Sequence, residues 1–152
     1  MLFKKGQGAT EYLIILAVVI IVALIVVAAM GGIPGIGTGA KERAAASYWA
    51  SQDIGIDSYA VNSTGYVTLN LRNNLRNSAT VTAVSVGGET VSSGDLTLGT
   101  GASSSRAGDT SLTCTAGESF SYEVSITYTD DETSASYTLD GDGTKLEGTC
   151  SS

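Results

Sequence analysis

The decapeptide KKGQGATEYL, residues 4–13, ends on the first two of nineteen residues without a charge, proline or glycine, YLIILAVVIIVALIVVAAM (12–30), and sets one carboxylate, Glu11, at the edge of that run. A lone carboxylate entering hydrocarbon costs on the order of several kcal/mol, so this one should seek a cation. The other residues able to do chemistry lie far downstream. Cys114 and Cys150 are the only two cysteines; they cannot make a zinc site by themselves, and either pair or stay inert thiols. Asn62-Ser63-Thr64 is an N-glycosylation sequon. Asp130, Asp131 and Glu132, with Asp140 and Asp142, invite a calcium site, but their spacing fails the EF-hand pattern and solvated turn carboxylates are the default. The chain has no histidine, which excludes a Ser-His-Asp triad and removes the commonest general base near neutral pH. GGETVSSGD and GTGASSSRAG match neither a P-loop nor a nucleophile elbow. No catalytic group, metal site or cofactor is expected.

Charge divides the 152 residues in two. Residues 1–52 carry a net +2 and residues 53–152 a net −9. An acidic distal half without a basic stripe repels phosphates, so nucleic-acid binding is not expected there.

The run from Tyr12 to Met30 has the length to cross a bilayer: nineteen residues at about 1.5 Å each rise about 28 Å. In lipid every backbone N–H and C=O must be bonded within the segment, which requires a helix despite the many β-branched residues. Lys4 and Lys5 before the run favour retention of that end in the cytoplasm, with the rest of the chain outside. Three uses fit: a permanent anchor, a removed secretory signal, or a helix that first spans a membrane and later packs against copies of itself. The run is long for a secretory signal, and Val27-Ala28-Ala29 is a poor cleavage site.

The stretch KKGQGATEYL ahead of a long apolar run resembles the class III signal peptide of archaeal type IV pilin-like proteins, over about residues 4 to 30. The resemblance implies a basic leader at Lys4 and Lys5, cleavage by a prepilin peptidase between Gly6 and Gln7, and retention of the apolar segment on the mature protein. Glu11 becomes the fifth mature residue, where that family carries glutamate; Ala9 departs from the serine often found in its Q-x-S-x-E pattern. Cleavage would remove the two lysines and create an α-amino group on Gln7. The resemblance implies that Glu11 pairs with this amine on a neighbouring subunit and sets the axial register of one helix against the next. The alternative is that Glu11 sits in the interfacial layer beside Lys4 or Lys5.

Five glycines and the single proline in residues 31–39, GGIPGIGTG, must stop or loosen the helix, and imply a joint. Residues 40–56 form a second helical segment and linker, with Ala45, Tyr48, Trp49 and Gln52 at helical spacing and the aromatic pair packing under the distal domain. Residues 57–152 are rich in Ser and Thr. Val67, Leu69 and Leu71 alternate in one run, Tyr122, Val124, Ile126 and Tyr128 in another, and Ala135, Tyr137 and Leu139 in a third, so these are half-buried strands. TDDETS reads as a hairpin loop, and the shift of apolar phase at Ala83 and Val84 marks a bulge or a strand covered on both faces. About seven short strands are expected. The fold class is α+β: a long apolar N-terminal helix followed by an all-β immunoglobulin-like sandwich head. LNLRNNLRNSATVTAVSVGG also resembles a passage common in archaeal pilin heads. An extracellular head favours pairing of Cys114 with Cys150, which would tie LEGTC to the sheet.

Taken with the resemblance, the expected domains are a leader (1–6), a membrane or filament-core helix (7–30), a joint (31–39), a helical segment with linker (40–56) and a head (57–152). The expected function is a non-enzymatic filament subunit that polymerises with itself through its N-terminal helix, for surface attachment. Its partners would be a prepilin peptidase, an assembly ATPase and a membrane platform protein, and it would pass from the cytoplasmic membrane into an extracellular filament. The competing class is a single-span surface protein whose head binds a ligand without polymerising. A secreted enzyme is a third.

Overall fold

The computed structural model describes residues 4–29 and 36–152, without the side chains of residues 4–7, 27–29, 36–38 and 93. The chain divides into two units, Met1–Gly37 and Thr38–Ser152. The first contains one long apolar helix, α1 (Lys4–Ala29), and the second is mostly β-sheet, so the chain is α+β.

Helix α2 (Ile36–Ala50) starts inside the segment expected to be a joint. Gly37 and Gly39 fall in its first turns, where each costs only about 1 kcal/mol, and the Ala-, Lys-, Glu- and Arg-rich stretch that follows sustains the helix. Residues 31–35 of the expected joint, and Met30, lie outside the described residues. At the other end, strand β1 (Ile54–Val61) begins within the expected linker. Ile54 and Ile56 are both buried, and core burial rather than composition sets that boundary.

After β1 come β2 (Tyr66–Asn73), β3 (Ala79–Val86), β4 (Glu89–Leu98), β5 (Ser103–Asp109), β6 (Ser119–Tyr122), β7 (Val124–Asp130), β8 (Ser136–Leu139) and β9 (Leu146–Thr149). They form three antiparallel sheets of order β1-β2-β5, β4-β3-β7-β8 and β6-β9. Val67, Leu69 and Leu71 of β2 and Ile126 and Tyr128 of β7 are buried as their alternation implies. The phase shift in β3 is a bulge: register slips between Val81 and Ala83 against both neighbours, so Ala79, Val81, Val84 and Val86 all reach the core. These residues join Trp49 of α2, Phe120 and Leu146 in one apolar cluster shared by the sheets.

Nine strands stand among the described residues, against about seven expected. The run SYEVSITY is not one strand. It breaks at Glu123, so that β6 pairs with β9 while β7 pairs with β3. SSSRAGD, with no apolar alternation, is β5, held by backbone pairing to β2. Gly108 explains how β5 fits: a Cβ there would lie 1.8 Å from the carbonyl oxygen of Val91, so only glycine allows β5 this close to β4.

Candidate functional site

Helix α1 is unbroken from Lys4 to Ala29, and the Gly6–Gln7 bond lies within it. The side chains of Lys4, Lys5 and Gln7 lie outside the described residues. From Gly8 to Val26 the helix is long and apolar enough to cross a membrane, with a mean hydropathy of 2.8 and none of this span buried within the chain. The large side chains from Tyr12 to Val26 remain 41–65% exposed. Because consecutive residues step about 100° round the axis, this run is apolar on every face rather than along one stripe. A surface helix of a soluble domain buries one stripe against its own core; this one offers its whole circumference to lipid or to other apolar helices. Glu11 is exposed on the helix, one turn beyond Gln7.

In the second unit, the side chains the sequence singled out have structural tasks. Cys114 and Cys150 are bonded, with their Cα atoms 5.9 Å apart. The bond joins the strap after β5 to the last strand, whose end is stitched in by Cys150 N–H to Glu118 O at 2.8 Å and Ser151 N–H to Val61 O at 2.9 Å. Asp130 Oδ1 accepts from the N–H groups of Glu132 and Thr133 at 2.9 and 3.1 Å and closes the β7–β8 turn. Those bonds hold its carboxyl below the ordinary aspartate value. Asp131 accepts from Ser78 and Thr80 hydroxyls, each at 2.8 Å, and Asp140 from the N–H of Asp142 at 3.2 Å. Among the described residues no group of three or more His, Cys, Asp and Glu side chains is placed to hold a metal ion.

A cleft of about 410 Å³ runs between α2, β1 and β9, lined by Glu42, Arg43, Asp57, Tyr59, Glu147 and Thr149. The Tyr59 hydroxyl donates to the Glu147 carbonyl oxygen, and the Thr149 hydroxyl to Glu42 Oε1 at 2.9 Å. Burial, and then the carboxylates of Glu42 and Glu147, push the Tyr59 phenol up. The first contact ties β1 to β9 and the second fastens α2 to β9, and the cleft brings together no nucleophile–base pair.

Sequence reasoning missed the parts played by the Asn-rich turn. Asn73 is fully buried and donates to Asn77 O at 2.8 Å and Leu98 O at 2.9 Å. Asn74 donates to Ala50 O and Gln52 O at the end of α2. The cluster of asparagines in LRNNLRN was the available signal, since such side chains satisfy backbone groups in turns. Also missed was the pair in which the Tyr128 hydroxyl donates to Asp53 Oδ2 at 2.9 Å.

No protein-family model matches the chain, and no curated protein matches it in sequence.

Proposed function

We propose that the protein is a structural subunit of an archaeal type IV pilus-like surface filament, and that it is not an enzyme. The observation that carries this reading is a helix apolar on every face, with none of residues 8–26 buried within its own chain, directly behind the motif KKGQGATEYL. The precursor sits in the cytoplasmic membrane with Lys4 and Lys5 inside. A prepilin peptidase cuts between Gly6 and Gln7, and removes the charges that hold the helix there. An assembly ATPase and a membrane platform protein then move the helix from lipid into a bundle of identical helices, and the same apolar circumference serves both environments. Glu11 pairs with the new amine of Gln7 on a neighbouring subunit. That pair is desolvated in the bundle and therefore specifies register more than it adds cohesion. The β-rich unit, an immunoglobulin-like sandwich in this reading because two larger antiparallel sheets share one core, faces outward and mediates attachment.

The test is the N-terminus of the mature protein, read by mass spectrometry from cell envelopes. A terminus at Gln7 is expected. A terminus at Met1 would make the chain an anchored surface protein, and one near Met30 a secreted head; either sinks the filament reading.

A further inference from the structure

We infer that Asn62 accepts an N-linked glycan. The inference rests on that part of the proposed function which puts the Thr38–Ser152 unit outside the membrane.

The sequon is single: none of Asn70, Asn73, Asn74 and Asn77 has Ser or Thr two residues on. It forms the turn between β1 and β2. There Asn62 Oδ1 accepts from Thr64 N–H at 3.1 Å, the Thr64 hydroxyl at 2.8 Å and Tyr66 N–H at 2.8 Å. Two of these donors are backbone amides, which can only donate, so the orientation of the side-chain amide is decided by its partners. The other end, Nδ2, donates to no protein group among the described residues. Trp49 Nε1 is the one buried side-chain polar atom there without a partner, so Nδ2 of half-buried Asn62 meets solvent. Ser63 and Thr64 are exposed beside it.

The other turn asparagines are arranged the opposite way. Asn73, Asn74 and Asn77 each spend Nδ2 inside the fold, on Asn77 O and Leu98 O, on Ala50 O and Gln52 O, and on Asp130 Oδ2. Asn62 uses only its oxygen, so a substituent on its nitrogen displaces water and breaks no hydrogen bond of the domain. The turn is also firmly held. Cys114 Sγ lies 3.4 Å from the Asn62 carbonyl oxygen, Ser63 N–H donates to Ser151 O at 2.9 Å, and Gly65, at φ +85°, has no room for a Cβ against the Thr110 carbonyl oxygen.

The co-reactant is an oligosaccharide carried on a polyisoprenyl phosphate or pyrophosphate. Asn62 Nδ2 bonds to the anomeric carbon, the bond from that carbon to the phosphate oxygen breaks, the lipid phosphate leaves with the electron pair, and Nδ2 loses one proton. No electrons are exchanged with an outside group.

The experiment takes the full-length chain from cell envelopes of its native host and maps its mass by peptide fragmentation. Intact cells are labelled in parallel with a membrane-impermeant lysine reagent that reports whether Lys145 faces outward. The expected result is a mass excess of one or more sugar residues on the Asn62 peptide, retained in Thr64→Ser and lost in Thr64→Val and Asn62→Asp. Asn62→Asp keeps the Oδ1 acceptor of the turn while removing the nitrogen, and its intact Cys114–Cys150 bond checks that it has folded. An unmodified Asn62 on an outward-facing domain overturns the inference and leaves the filament reading standing. A mass excess that survives in Asn62→Asp overturns the assignment to this residue. A domain shielded from the reagent overturns both the external location and the acceptor.

Discussion

Gly141 packs directly against the indole of Trp49: a Cβ at position 141 would stand 2.6 Å from Trp49 Cζ2 and 2.9 Å from Cη2. Trp49 comes from α2 and Gly141 from the loop before β9, so the contact joins the second unit's helix to its last strand. The backbone at Gly141 is also left-handed, with φ +76°. Gly141→Ala is therefore expected to destabilise by about 2–5 kcal/mol, combining backbone strain with overpacking. Trp49 is the chain's one tryptophan, so its fluorescence during urea unfolding of the detergent-solubilised chain measures the effect.

Asn74 holds the same C-terminal end of that helix, donating 3.0 Å to Ala50 O and 2.7 Å to Gln52 O. Carbonyls at the last turn of a helix have no partner within it, and here the β2–β3 turn supplies one. Asn74→Ala should cost about 1–3 kcal/mol. Amide hydrogen exchange should rise first in the last turn of α2; unchanged protection there would remove the capping role.

The Cys114–Cys150 bond closes a loop of sequence separation 36. By loss of chain entropy in the unfolded state, such a bond stabilises by about 3–4 kcal/mol. Replacing both cysteines with serine should lower the urea midpoint accordingly. Limited proteolysis should cut first in residues 110–118 and the C-terminal strand, which the bond joins.

Asp130 and Tyr128 set opposite pH limits. The folded pKa of Asp130 is depressed, chiefly by the Thr133 N–H, so its contribution is present above the unfolded value of 3.8 and is lost as pH falls through the folded value. Asp130→Asn should flatten the acid limb of stability against pH. Tyr128 is raised from 10.0 by burial and then by its bond to Asp53. Its contribution is complete below pH 10 and is lost as pH rises above that. Tyr128→Phe should flatten the alkaline limb, read from unfolding midpoints across pH.

Glu11→Ala should leave membrane insertion intact, since it removes a charge from the edge of an apolar span. Filaments should be absent, by electron microscopy of cells making only this variant. Normal filaments would show that Glu11 has no part in register.

The sequence by itself determined the features whose physics is local. Nineteen uncharged residues demand a helix once they are placed in lipid, and period-two alternation marked the cores of β2 and β7 and a phase shift in β3, which the register then resolved as a bulge rather than a strand covered on both faces. Tertiary structure alone decided what depends on residues distant in the chain. β5 is a strand because β2 offers it hydrogen bonds and Gly108 lets it approach Val91, not because SSSRAGD prefers to be extended. The SYEVSITY run divides at Glu123 because β9 pairs with its first half and β3 with its second. The same holds for the asparagines. Their chemical type announces turns, but whether a side-chain nitrogen is spent on Leu98 O, on Ala50 O or, at Asn62, on no group among the described residues is set by which backbone carbonyls the folded sheets bring within reach.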